Sequence, residues 1–360
     1  MKEENTPSLL NISYAPHIRD KDSLNKVMWT VVIAMLPALV FSVYTFGIHV
    51  LLLLVTGALA AVIAEALMQF ALKKKVTAFD GSAVITGLLI AMNVPPQAPL
   101  WMVAIGSAFA MIIVKHMFGG LGFNIFNPAL AARAFMLASW PVHMTTGWHP
   151  FSNGSMLSAN AANTANFPDA VFDVLTHATP LNALKEGSKI LAENNVSFDS
   201  FCSFLFSPDM LLSQFIGNIG GCLGETSALL ILVGGIFLLI RKVITWHIPV
   251  AFIGSMAVFT FVYYTMIGYP LPHMIALSHV LTGGLFLGAF FMATDMVTSP
   301  VSGKGMILFG IGCGFITFII RIWGGYPEGV SYSILLMNAA VPLIDRFIRP
   351  KVFGISKAKA

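Results

Sequence analysis

No charged side chain interrupts Val27–Phe46. As an α-helix that run is about 30 Å long, matching the hydrocarbon core of a bilayer. Inside lipid, every backbone N–H and C=O must find a partner within the protein, so a chain carrying such runs is built from helices or a closed barrel. Further apolar runs follow at Ile48–Leu72, Gly81–Val94, Ala98–Val114, Ala129–Pro141, Met210–Ile240, Ile248–Ile267, Met274–Thr294, Gly305–Ile320 and Val330–Ile344. They are too long for barrel strands, and with the first they give ten candidate spans of an all-α polytopic membrane protein. At 57% hydrophobic and 10% charged residues, the composition excludes an ordinary soluble enzyme and a nucleic-acid-binding domain.

The basic residues orient this chain. Lys73, Lys74 and Lys75 close the second run, Arg241 and Lys242 follow the sixth, and Arg346, Arg349, Lys351, Lys357 and Lys359 crowd the C-terminus. With ten spans and both termini inside, all but Lys185, Lys189 and Arg321 of the 20 lysines and arginines fall on the cytoplasmic side. The expected organisation is a cytoplasmic tail at 1–26, a first membrane unit at 27–141 and an extracytoplasmic polar loop at 142–209. A second membrane unit at 210–345 and a cytoplasmic tail at 346–360 complete it. Residues 1–26 are polar, and no cleavable signal peptide is expected. Cys202, Cys222 and Cys313 are widely spaced, without a CxxC pair, which predicts neither a disulfide framework nor a metal site or cluster held by this chain alone.

Several runs are short or broken, and polar residues gather at the breaks. Gly81–Val94 reaches only about 21 Å as a helix. Breaker-rich segments carry Asp80-Gly81-Ser82, Asn124 and Asn127-Pro128, Gly224-Glu225-Thr226-Ser227, and Thr294-Asp295. A charge within a span costs about 2.5–3.5 kcal/mol on insertion scales, which makes Glu65, Arg133 and Glu225 functional candidates. Glu65, Asp80, Glu225 and Asp295 are the expected ion-pathway carboxylates; the competing reading has these groups capping helix ends or pairing with one another. Gly283, Gly284 and Gly288 are expected to permit close helix approach.

The two halves resemble each other. Gly87–Met92, a proline-containing turn, a long run and Lys115-His116-Met117-Phe118-Gly119-Gly120 form one copy. Gly288–Ala293, a turn ending at Pro300, a long run and Ile320-Arg321-Ile322-Trp323-Gly324-Gly325 form the other. The copies begin on opposite sides of the ten-span topology, which predicts two inverted five-helix repeats with a working site near the midplane.

The polar loop holds Asp173, Thr176, His177, Ala178, Thr179, Pro180 and Leu181 in sequence. This stretch resembles the flavinylation motif of the family that joins the D subunit of the Rnf complex with the B subunit of the sodium-pumping NADH:quinone reductase. It departs from that motif at His177, where the family has a small residue. Asp80-Gly81-Ser82-Ala83, Phe118-Gly119-Gly120 with Asn127-Pro128-Ala129, Gly224–Ser227 and Phe291–Asp295 look like further landmarks of the family, in its order. The length, without a long N-terminal extension, looks more like the Rnf protein.

The resemblance implies a fold related to urea and ammonium transporters. It implies covalent FMN joined through a phosphoester to Thr179, with Asp173, Thr176 and Ala178 forming the rest of the motif, and a second, non-covalent riboflavin among the helices. It further implies a flavin transferase, an outer-face flavoprotein partner and other membrane and peripheral subunits. The expected role is an electron relay within a complex that couples ferredoxin-to-NAD electron flow to export of Na⁺ or H⁺; no catalytic residue is assigned, and catalysis by this chain alone is not expected. The alternatives are a component like the B subunit of the quinone reductase, a solute channel or transporter of the same fold, and a membrane scaffold.

Overall fold

The computed structural model describes residues 23–74, 76–145, 206–217, 221–225, 227–269, 271–325 and 328–348. Among these every regular element is helical. The first is α1, Leu24–Phe46, capped by the Ser23 hydroxyl on Lys26 N–H and running unbroken through Pro37. Gly47, at φ 87°, turns the chain directly into α2, Ile48–Ala71. The short α3, Ser82–Met92, follows, then α4, Leu100–Phe109, which continues as a π-helical turn, Ala110–His116. Next come α5, Pro128–Ser139, α6, Pro141–Thr145, and α7, Pro208–Ile216. A 3₁₀ turn at Leu223–Glu225 leads into α8, Ala228–Ile240, and α9, His247–Ile267. The chain then forms α10, Pro272–Leu281, and α11, Leu285–Leu287, the latter extended by a second π-turn, Gly288–Met292. It ends with α12, Gly303–Trp323, and α13, Val330–Phe347.

Four of these, α1, α2, α9 and α12, are long and apolar enough to cross a bilayer alone. The pair α10 and α11 with its π-turn makes a fifth if counted as one span bent by 59°. The helices α3, α4 with its π-turn, α5 and α8 are apolar but shorter. The chain is a multi-pass membrane protein. Its exposed surface is rich in Leu, Ile, Val and Phe along α1, α2 and α9, as a lipid-facing surface requires.

Without a hydrophobic drive between helices in lipid, close backbone approach holds the bundle together. Gly57 of α2 faces Gly87 of α3 so tightly that a Cβ on Gly57 would stand 2.7 Å from the Gly87 carbonyl oxygen. Gly310 of α12 meets α9 in the same way, 2.7 Å from the Ala251 Cβ. Gly234 of α8 lies against the Ala34 carbonyl of α1.

Gly283 and Gly284 act differently from expectation. With φ 72° and 64° they break the Met274–Thr294 run, with Gly284 close against Glu225, while Gly288 packs against Val330 and Ile334. The loop 146–205, and with it Asp173, Thr176, His177, Ala178 and Thr179, lies outside the described residues, as do Lys75 and the tails 1–22 and 349–360.

Candidate functional site

Two buried polar clusters and one cavity stand out in this apolar frame. The first cluster joins the ends of α2, α3 and α4. Gly81, at φ 92°, begins α3, and Asp80 Oδ1 accepts from the Ser82 N–H at 2.8 Å and from the Ser82 hydroxyl at 2.7 Å. A carboxylate at a helix N-terminus is favoured by the unpaired N–H groups there. Lys115, delivered by the π-turn of α4, donates to Ser82 Oγ at 2.8 Å and to Glu65 Oε1 of α2 at 2.7 Å. Gln69, one turn after Glu65, donates to Glu65 Oε1 at 3.2 Å and to the Thr77 hydroxyl at 3.0 Å, and accepts from the Thr77 N–H at 2.7 Å. His116 Nε2 approaches Glu65 Oε1 at 3.5 Å. Glu65, Lys115 and His116 are all buried.

Beside this cluster lies a cavity of about 380 Å³. Val31, Leu89, Phe290 and Phe291 supply apolar wall, while Ser82, Lys115, Asn124, Asn127, Thr294 and Asp295 supply polar groups. Asn127 caps α5, accepting from Ala129 N–H at 3.0 Å and Leu130 N–H at 3.3 Å, with Pro128 in the first turn. Its amide also donates to the Met292 carbonyl at 3.1 Å, tying the first half of the chain to the second. Asp295 caps the turn after the second π-helix through Val297 N–H at 3.3 Å and the Thr298 hydroxyl at 3.2 Å.

The second cluster is closed. Arg133 of α5 is ion-paired with Glu328, donates to Ser331 Oγ of α13 at 2.9 Å and approaches Cys222 Sγ at 3.7 Å. Cys222 also lies 3.6 Å from Glu328 Oε1 and from the Asn93 carbonyl. Arg321, in the last turn of α12, donates to the carbonyls of His279, Thr282 at 3.1 Å, Gly283 at 3.0 Å and Glu328 at 2.9 Å. It thereby satisfies the open carbonyls where α10 ends. Glu225 stands beside Gly284, the residue that begins α11, and is in the field of both Arg133 and Arg321.

All four expected ion-pathway carboxylates are therefore placed. Glu65 and Asp80 meet through Lys115 and Ser82, Asp295 borders the same cavity, and Glu225 belongs to the other cluster. The competing reading also holds in part: Asp80 and Asp295 cap turns, and Glu65 is paired. Sequence reasoning missed Glu328, His116 and Gln69. The Lys115-His116 pair before Phe118-Gly119-Gly120 was the available signal for His116; Glu328 in a short turn gave none. The spacing of the cysteines also gave no hint that Cys222, Glu225 and Glu328 put their ligating atoms within 4.8 Å of one another. Two buried arginines in that cluster oppose a divalent ion there.

The chain matches the family described as NQR2, RnfD, RnfE over residues 11–354. It is 45% identical over 353 residues to the D subunit of the Na(+)-translocating ferredoxin:NAD(+) oxidoreductase complex of Acetobacterium woodii, covering 97% of each chain. It is also 45% identical over 352 residues to the D subunit of the proton-translocating ferredoxin:NAD(+) oxidoreductase complex of Clostridium ljungdahlii, covering 96% of this chain and 97% of that one. The D subunit of the ion-translocating oxidoreductase complex of Stutzerimonas stutzeri is 39% identical over 341 residues, 93% of each chain.

Proposed function

The chain belongs to the NQR2, RnfD, RnfE family, and from that premise we propose that it is the membrane flavoprotein subunit of an ion-translocating ferredoxin:NAD oxidoreductase. The observation that carries this reading is near full-length similarity to the D subunits of such complexes, in a chain whose cavity is bordered by Asp295 and by Lys115, the ion-pair partner of the buried Glu65. It works with further membrane and peripheral subunits, among them a flavoprotein at the outer face. Similarity does not choose the ion, since a relative named for Na⁺ and one named for protons are each 45% identical to this chain.

The proposed architecture has ten spans in two inverted five-helix units, like urea and ammonium transporters, with the termini inside and 142–209 outside. Two parallels support it. In each half a short helix begins at a left-handed glycine beside a carboxylate, Gly81 with Asp80 and Gly284 with Glu225. In each half a cation from the end of a long helix reaches that start, Lys115 in one and Arg321 in the other.

The residues suit flavins in two places. The Thr179 hydroxyl can form the phosphoester to FMN, within the motif of Asp173, Thr176 and Ala178 read by a flavin transferase. The cavity is within the size range of cofactor sites. Its Phe290 and Phe291 walls with Asn124, Asn127 and Thr294 suit a non-covalent riboflavin, with apolar faces and a polar rim. A flavin supplies the one- and two-electron chemistry that no side chain of this protein offers. The protein holds it and shields it from water, and Glu65, Asp80, Glu225 and Asp295 mark the path of the translocated ion.

The test is covalent flavin on the denatured chain. Wild type should retain in-gel fluorescence, with FMN mass on the Thr179 peptide. Thr179→Val should lose both and still insert in the membrane, because the change lies in the loop between the membrane units. Covalent flavin retained in Thr179→Val would move the site elsewhere, and none in wild type would reject it.

A further inference from the structure

The first cluster contains unsatisfied groups. Glu65 is 1% exposed and His116 5% exposed. Glu65 Oε2 and both ring nitrogens of His116 make no hydrogen bond. Buried polar atoms left this way are costly, and each such atom in a native protein points to a missing partner. Here three of them belong to two neighbouring side chains, whose nearest atoms, His116 Nε2 and Glu65 Oε1, stand 3.5 Å apart.

We propose that Glu65 and His116 form a proton-binding site, in which a proton taken onto the His116 ring is held by the Glu65 carboxylate. The assignment deepens the ion-path reading of Glu65 given above and rests on that reading for its use in transport. The step is a simple transfer. Hydronium gives one proton to a ring nitrogen and leaves water, the ring becomes imidazolium, and Glu65 remains ionised. Both nitrogens are then donors, which turns the 3.5 Å approach into an ion pair.

The surroundings select a proton over a metal ion. A hard cation such as Na⁺ seeks a shell of oxygens, as other hard cations do, whereas the unsatisfied groups here offer one oxygen and two nitrogens.

The charge balance permits one more positive charge. The charges facing His116 are Glu65 and Lys74 from α2 and Lys115 beside it on its own helix. Lys115 has a second anchor in Ser82, itself held by Asp80, and Asp295 lies in its field, so it can share Glu65 without losing its place. Lys74 is drawn aside onto the Gly119 carbonyl at 2.9 Å.

The test is proton uptake by the purified complex, read by infrared difference spectra from about pH 8 down to about pH 4, a span wider than the ordinary histidine range. Wild type should show a histidine-ring change together with a carboxylate change. His116→Gln should remove both and lower uptake by about one proton per chain. Glu65→Gln should weaken that proton's binding about tenfold or more, since it removes the charge beside the ring. Sodium chloride should leave the signals in place.

Full uptake in His116→Gln would overturn the proposal. So would unchanged affinity in Glu65→Gln, which also serves as the readout if His116→Gln fails to assemble, and so would displacement of the proton by Na⁺. Equilibrium uptake needs no electron flow, so the same titration in Thr179→Val separates the two readings. If the flavin assignment fails, these signals persist; if the proton site fails, covalent flavin persists.

Discussion

Around the cavity, one cation, Lys115, is set against two carboxylates, Glu65 and Asp80, with Asp295 close by. In the closed cluster Arg133 and Arg321 are set against Glu225 and Glu328. Both lie in apolar surroundings, where an uncompensated charge is expensive. The closed cluster is balanced, and its arginines also bind Ser331 and the carbonyls at the end of α10. It behaves as a lock between the two halves of the chain. The cavity cluster carries an excess of negative charge among its buried side chains, which suits a group that accepts and releases a cation. One frame thus holds a fixed joint and a receptive site, distinguished by charge count and not by depth.

The largest effect should come from opening the lock. Arg133→Ala leaves the partly buried Glu328 without its partner and should cost about 3 kcal/mol, read as a lowered unfolding temperature of the purified complex. Adding Glu328→Gln should recover much of that loss; no recovery would mean that the pair is not the lock. Lys115→Gln should cost less, about 1–3 kcal/mol, because Gln69 still donates to Glu65. A loss larger than that of Arg133→Ala would erase the contrast between the clusters.

Cys222→Ala should cost about 1 kcal/mol, since its contacts at 3.6–3.7 Å are weak for a buried group. A loss as large as that of Arg133→Ala would make the thiol part of the lock. Reporters should change stability least and serve to assign sides. One at Asn160 should read extracytoplasmic and one after Ala360 cytoplasmic. The reverse result would exchange the faces to which the two clusters belong.

Much of this frame was legible in the chain. The uncharged run from Val27 became α1, and the run from Ile48 became α2, because length and hydropathy alone decide such helices. Asn127-Pro128 announced the start of α5, since an amide followed by proline satisfies and shapes a first turn. Asp80, Glu65 and Glu225 were legible as exceptions to the apolar rule. Their partners were not. Arg133 meets Ser331 across 198 residues and Lys115 meets Glu65 across 50, and no local pattern encodes such a pairing. Gly283 and Gly284 read as packing residues because composition does not distinguish a close helix contact from a break; only the backbone angles do. His116 passed unnoticed for a related reason: its direction depends on the π-turn before it.

That turn has a genetic consequence. A π-turn holds one more residue than an α-turn, so Ala110–His116 carries a residue that a regular α-helix would not accommodate there. Deleting one codon there, such as that of Ile112 or Ile113, should restore α-geometry and change the directions of the side chains within the turn. Lys115 and His116 would swing away from Glu65 with every side chain still encoded. In this helix the reading that matters is the count of residues as much as their identity, and a lineage that lost one would have to regain it to rebuild the site.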